Sequence, residues 1–270
     1  MRILVVSRID NHDALIFAGK IHTVLASEGC DVAFDRDTAI ALGTTGPELS
    51  HAEADVVIVV GGDGTILRTV SMMQQPVPVL GINWGEVGFL ADLEPSEALA
   101  FVRTLPQGFA VEERMRISLV KDGVPVGDAL NEALIVTTRP AKMLRFSIII
   151  DDVTAEQFRA DGLLVSTPTG STAYAMSAGG PIVDPRVEGF LLVPLAPYLL
   201  SSRPHLVSDR RHLRIKLDST KPANLVIDGQ DTIELGTSCV IDVRKSPSPA
   251  LFVDVRRNFF EKVDNKLRRL

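Results

Sequence analysis

The sequence has few of the features that mark disulfide-rich, metal-binding or membrane proteins. It contains only two cysteines, Cys30 and Cys239, which lie far apart and belong to no Cys-x-x-Cys pair or Cys/His cluster. We therefore expect buried or idle thiols and a reducing compartment. No apolar run approaches the roughly 20 residues of a membrane-spanning helix, and the N-terminal apolar run is too short for a signal peptide. These absences predict a soluble cytoplasmic protein with no membrane partner.

Aromatic residues and positive charge are also scarce. Aromatics make up 5% of the sequence, so Val, Ile, Leu and Ala must supply most of the core. The hydrophobic content of 46% is enough for one large domain or two small ones. The net charge is −6, whereas nucleic-acid-binding proteins usually carry a basic face, so we expect no nucleic acid partner. The five histidines show no HExxH or Cys/His spacing, and we expect them to be surface or core residues.

The first part of the chain alternates between strand and helix patterns. Asn11 is a suitable N-cap for an amphipathic helix that Gly29 can end. The run ADVVIVV is apolar on both faces, as in a central parallel strand covered by helices on both sides. Pro95 opens a further helix that runs to about Thr104. This order predicts an α/β domain with an open parallel sheet over residues 1–105.

The pattern changes near Pro106. Many short β-rich runs follow, from RISLV to LFVDV, with turn segments such as KDG and DDV between them. They predict a β-rich, sandwich-like second domain over residues 106–255. The tail NFFEKVDNKLRRL has an apolar stripe at helical spacing. We expect a C-terminal helix within residues 256–270 that packs back on the first domain.

A glycine loop follows the buried strand directly, in the segment VVIVVGGDGTILRTV. In open parallel sheets, ligands bind at the carboxyl ends of the strands, where this loop lies. Gly61, Gly62 and Gly64 let the backbone approach a ligand closely. The helix expected from Thr65 offers free N–H groups to a phosphate. Because the segment is neither a Walker A motif nor a GxGxxG fingerprint, we expect a phosphate-binding loop of another type.

One aspartate, Asp63, interrupts these glycines. A carboxylate would repel phosphates unless it had a separate task. Two tasks are open: it can take a proton from an attacking hydroxyl, or it can help to hold Mg²⁺ against the phosphates. The simpler alternative is that Asp63 only caps the helix beginning at Thr65.

Several motifs resemble the NAD kinase family. The loop GGDGT alone is shared with diacylglycerol and sphingosine kinases and, in a close variant, with phosphofructokinases. The segments INWGEVGFLADL, LNEALI, RADGLLVSTPTGSTAYAMSAGGPIVDP and LVIDGQ match NAD kinase motifs, and they occur in family order over residues 56–230. The long threonine-rich signature is very specific. The resemblance therefore favours NAD kinases over the lipid kinases.

This resemblance implies an activity. The enzyme would transfer a phosphoryl group from ATP, or from polyphosphate, to the 2′-hydroxyl of the adenosine ribose of NAD, which gives NADP. It would need Mg²⁺ or another divalent cation and would form a homodimer or homotetramer. Asp63 would orient and deprotonate the 2′-hydroxyl, and Gly61, Gly62, Gly64 and Thr65 would bind the donor phosphates.

The resemblance also assigns the NAD-binding residues. They are Asp63, Gly64, Asn83, Asn131, Glu132, Arg159, Asp161, Thr172, Ala173, Tyr174, Ser177 and Gln230. An amide such as that of Asn131 offers adenine both a donor and an acceptor, and a carboxylate such as Glu132 accepts from ribose hydroxyls. Without the family match, a core tyrosine at Tyr174 and a capped loop would be the favoured interpretation.

Two rival functions and one departure from the family pattern stay open. A lipid or sugar kinase with the same glycine loop would not explain the threonine-rich signature. A non-catalytic dinucleotide sensor would not need Asp63 together with Asn131 and Glu132. Many relatives carry Pro-His where this chain has Pro197-Tyr198, so the contribution of that histidine is open here.

Overall fold

A computed structural model describes residues 1–85, 88–139, 142–199 and 201–268. The chain divides into two compact units. One is formed by Met1–Glu113 together with Ala250–Leu270, and the other by Arg114–Pro249. The second unit is therefore an insertion between the two segments that build the first.

The elements follow in chain order. Up to Glu113 they are β1 (Arg2–Ser7), α1 (His12–Ser27), β2 (Asp31–Phe34), α2 (Arg36–Ala41), β3 (Val56–Gly61), α3 (Asp63–Met72), β4 (Val79–Asn83), α4 (Pro95–Val102) and β5 (Val111–Arg114). The second unit contains β6 (Ile117–Lys121), β7 (Val124–Ala129), β8 (Glu132–Thr137), β9 (Leu144–Ile150), β10 (Val153–Ala160), β11 (Gly162–Ser166), α5 (Tyr174–Ser177), β12 (Gly189–Leu195), β13 (His205–Ser208), β14 (Leu213–Ile227) and β15 (Asp231–Lys245). The chain ends with β16 (Ala250–Val253) and α6 (Phe259–Leu267).

The first unit is built on a six-stranded sheet with the order β2-β1-β3-β4-β16-β5. The ladders from β2 to β16 are parallel, which confirms the expected open parallel sheet. Helices α1 and α4 share a core cluster with alternate residues of β1, β3 and β4. Helix α3 covers the other face, where Ile66 approaches Gly81. At the carboxyl edge the ends of β3 and β4 lie side by side, with Gly61 in register with Asn83.

The division of the chain differs from the sequence-based domain bounds. We expected the boundary between residues 105 and 106 and assigned residues up to 255 to the second domain. The structure divides the chain after Glu113 and again after Pro249. The reason is that β5 and β16, which share the β-rich pattern of the second unit, are neighbouring strands of the first sheet. Helix α6 belongs to the first unit as well.

The second unit is a ten-stranded antiparallel sheet. Its main path runs β13-β12-β11-β8-β14-β15-β6-β7, with β9 pairing to β14 and to β10. The larger core cluster contains Phe146, Phe158 and Phe190. A second cluster around Leu164 and Val193 covers the opposite face of β11 and β12. These two strands are therefore buried on both faces, and the segment that follows β11 packs directly against them.

The described helices are too short or too polar to cross a bilayer: no span of this kind is found in the part of the chain that the structure covers.

Candidate active site

The glycine loop lies where β3 ends and α3 begins. A Cβ at Gly61 would lie 2.6 Å from Thr65 Oγ1, so packing within the loop requires glycine at this position. By contrast, a Cβ on Gly62 or Gly64 would meet no described atom within 4 Å. These two glycines therefore face open space, where a ligand can approach the backbone. Gly62 is also the N-cap of α3, so no side chain of that residue covers the positive end of the helix.

Asp63 is the first residue of α3, and its carboxylate turns away from the helix. Oδ2 accepts a hydrogen bond from the Phe89 amide at 2.7 Å, and Oδ1 accepts one from the Leu90 amide at 2.8 Å. The alternative that Asp63 only caps a helix starting at Thr65 is therefore wrong, because the helix starts two residues earlier and Gly62 is its cap. The segment Gly-Phe-Leu, noted in the sequence only as a family motif, supplies the groups that orient this carboxylate.

Gly88 and Asn83 complete the surroundings of Asp63. Gly88 has φ +52°, and a Cβ there would lie 2.8 Å from Asn83 Oδ1 and 3.4 Å from Asp63 Oδ1. Close approach and left-handed backbone both favour glycine here. Asn83 is 5% exposed, and its Oδ1 accepts from the Gly85 amide at 3.2 Å. The structure thus brings the predicted residues Asp63 and Asn83 to one edge of the first sheet.

In the second unit, a buried aspartate fixes the backbone at Asn131 and Glu132. The Asp228 carboxylate accepts from the amides of Leu130, Asn131 and Glu132 at 2.7, 2.8 and 3.0 Å. Asp228 lies in the turn between β14 and β15 with φ +49°. Sequence analysis missed this residue, although it noted the motif LVIDGQ that contains it. Gln230, which was predicted instead, is exposed in the same turn.

Three buried polar atoms near the backbone of Asn131 and Glu132 can form hydrogen bonds with a ligand. Within the described residues, Asn131 Oδ1, Glu132 Oε2 and Thr169 Oγ1 are buried without a hydrogen-bond partner. Burial, reinforced by the charge of Asp228, raises the pKa of Glu132 to about 8. A buried acceptor without a partner costs about 1–3 kcal/mol, which a donor group of a ligand would recover.

The threonine-rich turn packs closely against the same backbone. Thr167 Oγ1 donates to the Leu130 carbonyl at 2.6 Å and accepts from the Gly170 amide at 3.0 Å. A Cβ at Gly170 would lie 2.2 Å from Asn131 O, so only glycine allows this approach. A 3₁₀ helix, Thr169–Thr172, therefore begins beside Asn131.

The predicted residues of the turn differ in exposure. Thr172 is buried, and its hydroxyl donates to the Thr169 carbonyl at 3.3 Å. Ala173 joins the 3₁₀ helix to α5. Tyr174 is 45% exposed and Ser177 is exposed on the same short helix. The tyrosine is therefore available to a ligand rather than confined to the core.

Arg159 and Asp161 form a separate group. They precede β11, whose Gly162 pairs with Val136, whereas Ser166 at the other end pairs with Glu132. A strand of this length spans roughly 16 Å, so one chain does not bring Asp161 to Glu132. At this far end the Arg159 guanidinium lies 4.5 Å from the centre of the Tyr198 ring, and the Tyr198 amide donates to the Arg159 carbonyl.

The side chains near the glycine loop do not by themselves form a cage for a cation. In the described portion of the chain, no group of three His, Cys, Asp or Glu side chains is arranged to hold a metal ion. Mg²⁺ usually keeps waters and takes one or two carboxylates plus substrate phosphates. An ion that arrives with a phosphate-bearing substrate would need few ligands from the chain, and the Asp63 carboxylate at the glycine loop is of the type it takes.

Family models match both parts of the chain. The ATP-NAD kinase N-terminal domain matches residues 3–108, and the ATP-NAD kinase C-terminal domain matches residues 130–255. A protein named NAD kinase from Methanoregula boonei is 64% identical over 270 residues, with 100% of both chains covered. Another from Methanothermobacter thermautotrophicus is 42% identical, covering 99% of this chain and 96% of its own.

Solved structures give the same match. An NAD kinase from Archaeoglobus fulgidus in complex with ATP has a TM-score of 0.85 and 32% identity, over 100% of each chain. Yeast NADH kinase complexed with NADH has a TM-score of 0.91 and 26% identity, over 99% of this chain and 87% of that chain.

Proposed function

The chain belongs to the NAD kinase family and phosphorylates NAD, and on that premise we propose how its residues carry out the transfer. ATP donates the terminal phosphoryl group, and the 2′-hydroxyl of the adenosine ribose accepts it. The complex of the Archaeoglobus fulgidus relative with ATP supports this donor.

The donor phosphates bind at the glycine loop. The open faces of Gly62 and Gly64 leave room for phosphate oxygens beside the backbone. Helix α3 is ten residues long and has a glycine as its N-cap, and the positive end of a helix favours negative charge. Thr65 supports the loop by packing against Gly61. A divalent cation such as Mg²⁺, bound together with the donor, would neutralise part of the phosphate charge.

Asp63 acts as the general base. The amides of Phe89 and Leu90 fix both carboxylate oxygens but leave lone pairs that can accept the proton of the 2′-hydroxyl. The ribose oxygen forms a bond to the γ-phosphorus while the bond to the bridging oxygen breaks. ADP leaves, and the proton passes to Asp63. The fixed carboxylate at the mouth of the phosphate loop is the observation that carries this proposal.

NAD is recognised mainly by the second unit. Asn131 offers its unpartnered Oδ1, and Glu132 its unpartnered Oε2, to the adenine and ribose of NAD. Tyr174 offers an exposed ring for stacking. Arg159 and Asp161 lie too far along β11 to join this group within one chain. We propose that the protein self-associates into a dimer or tetramer, in which a second copy can contribute them.

The state of the two thiols bears on the compartment. Cys30 and Cys239 are both free, and burial raises the pKa of the Cys239 thiol to about 11. A thiol of this kind is a poor nucleophile. Free thiols of this kind are usual in a reducing compartment, and on that ground we propose a cytoplasmic enzyme.

The test is NADP formation from NAD, ATP and Mg²⁺ by the purified protein. We expect NADP, and no transfer to a sugar or to diacylglycerol under the same conditions. Parallel reactions with polyphosphate as the donor and NADH as the acceptor define the range of substrates. Asp63→Asn should bind NAD normally in calorimetry but lose turnover by on the order of 10²-fold or more. Near-normal turnover in this variant would reject the role of Asp63.

A further inference from the structure

The segment that holds Asp63 is itself held by α6. We call residues 88–92 the aspartate-binding segment, because its amides at Phe89 and Leu90 bind the Asp63 carboxylate. Lys262 Nζ lies 2.8 Å from the Phe89 carbonyl oxygen and 2.6 Å from Asp92 Oδ1. The peptide group that joins Phe89 to Leu90 thus donates to Asp63 through its N–H and accepts from Lys262 of α6 through its carbonyl.

A second lysine of α6 binds the middle of this segment. Lys266 Nζ donates to the Ala91 carbonyl at 3.2 Å and lies 5.8 Å from the centre of the Phe89 ring. Lys266 is only 7% exposed, which is rare for lysine because burial of an ammonium group is costly. Burial lowers its pKa, with the charge of Lys262 acting in the same direction, while the charges of Asp63, Asp92 and Glu94 oppose the change.

Both lysines are more than surface charges. The side chains of Lys262 and Asp92 are 9% and 17% exposed, so their pair is shielded from solvent and has a defined geometry. Arg268, the C-cap residue of α6, differs: its side chain is 75% exposed, and its ion pair is with Asp264, one turn earlier.

We propose that Lys262 and Lys266 are positioning residues for phosphoryl transfer. They fix the aspartate-binding segment, whose two amides then orient the Asp63 carboxylate toward the acceptor hydroxyl. Neither lysine contacts Asp63 by a hydrogen bond; both act through the segment. This inference rests on the proposed role of Asp63 as the base.

The test measures steady-state kinetics of Lys262→Met and Lys266→Met in the full-length enzyme, with Arg268→Met as the matched control. We expect each lysine variant to lose kcat by on the order of 10-fold, with the KM values for NAD and ATP nearly unchanged, because small displacements of a catalytic group reduce turnover. The control should keep its kcat within about twofold, as surface ion pairs contribute little. Lys262→Arg, which keeps charge and donors, should recover most of the lost kcat.

A second arm repeats the lysine substitutions in the Asp63→Asn background. If the lysines act through Asp63, they should cause little further loss there, since coupled residues are not additive. An equal loss in both backgrounds, or normal kcat in folded single variants, overturns the proposal. If neither Met variant folds by circular dichroism, Asp92→Asn, which removes only the charge partner of Lys262, must lower kcat severalfold or the proposal fails. Near-normal turnover of Asp63→Asn would instead reject the proposed base.

Discussion

Replacing Glu132 by glutamine should remove a pH-dependent loss of stability from the second unit. Burial and the charge of Asp228 raise the pKa of Glu132 from 4.5 to about 8. Between these values the folded state holds a proton that the unfolded chain has released. The stabilising effect of this protonation is complete below the unfolded pKa and is lost as pH rises through the folded pKa. Each unit of difference between the folded and unfolded pKa changes the free energy of unfolding by about 1.4 kcal/mol. The total change between low and high pH is therefore roughly 5 kcal/mol.

Unfolding in urea at pH 5, 7 and 9 without NAD measures this effect. Fluorescence of the only tryptophan, Trp84, follows unfolding of the first unit. Absorbance of both tyrosines, Tyr174 and Tyr198, follows unfolding of the second unit. Wild-type protein should lose stability in the tyrosine transition as pH rises, and Glu132→Gln should lose much less. The control is Glu53→Gln, because the side chain of Glu53 is 82% exposed. A stability difference between Glu132→Gln and wild type that stays constant from pH 5 to pH 9 would refute the reasoning.

Three further predictions concern the second unit and the assembly. Asn131→Ala should raise KM for NAD much more than KM for ATP, because it removes a contact to one substrate only; equal effects on both would contradict the assignment. Asp228→Asn keeps the size of the side chain but replaces one acceptor oxygen of a group that binds three amides. The Asp228→Asn variant should have a free energy of unfolding lower by about 2–4 kcal/mol and a higher KM for NAD. If neither the stability nor the KM changes, the three amides do not depend on the carboxylate. Light scattering should give a dimer or tetramer, and a mass near 29.2 kDa would exclude self-association.

The regular elements of the first unit were largely predictable because local signals mark their ends. Asn11 caps α1 with a 3.0 Å bond to the Ala14 amide, as its position suggested. The short helix α2 was missed, although Asp35 caps it, because six residues carry little periodic signal. In the second unit, the four runs LRIKL, NLVID, TIEL and CVIDV are parts of only two strands, β14 and β15. Their register shifts between Asp218 and Ala223 interrupt the alternation that marks a continuous strand.

Sequence reasoning could name candidate site residues that act through side chains, but not groups that act through the backbone. Asp63, Asn83, Asn131 and Glu132 were expected from residue type and motif. The amides that hold Asp63 have no sequence signal of their own, since any residue but proline supplies an N–H. The burial of Lys266 could not be predicted from the sequence either, because a lysine in a charged tail usually lies in solvent. Only the fold shows that this one is buried.

The insertion of the second unit between β5 and β16 has a consequence for biosynthesis. On the ribosome, the nascent chain exposes the glycine loop early, but β16 and α6 emerge only after the whole of Arg114–Pro249. Domains generally fold as units during synthesis, so the inserted unit has all its strands before the first sheet does. Until then, the sheet of the first unit has an unpaired edge at β4, where β16 later pairs. Helix α6 therefore brings Lys262 and Lys266 to the segment around Asp63 only after the inserted unit has been made, and a chain truncated before α6 would lack both lysine contacts to that segment.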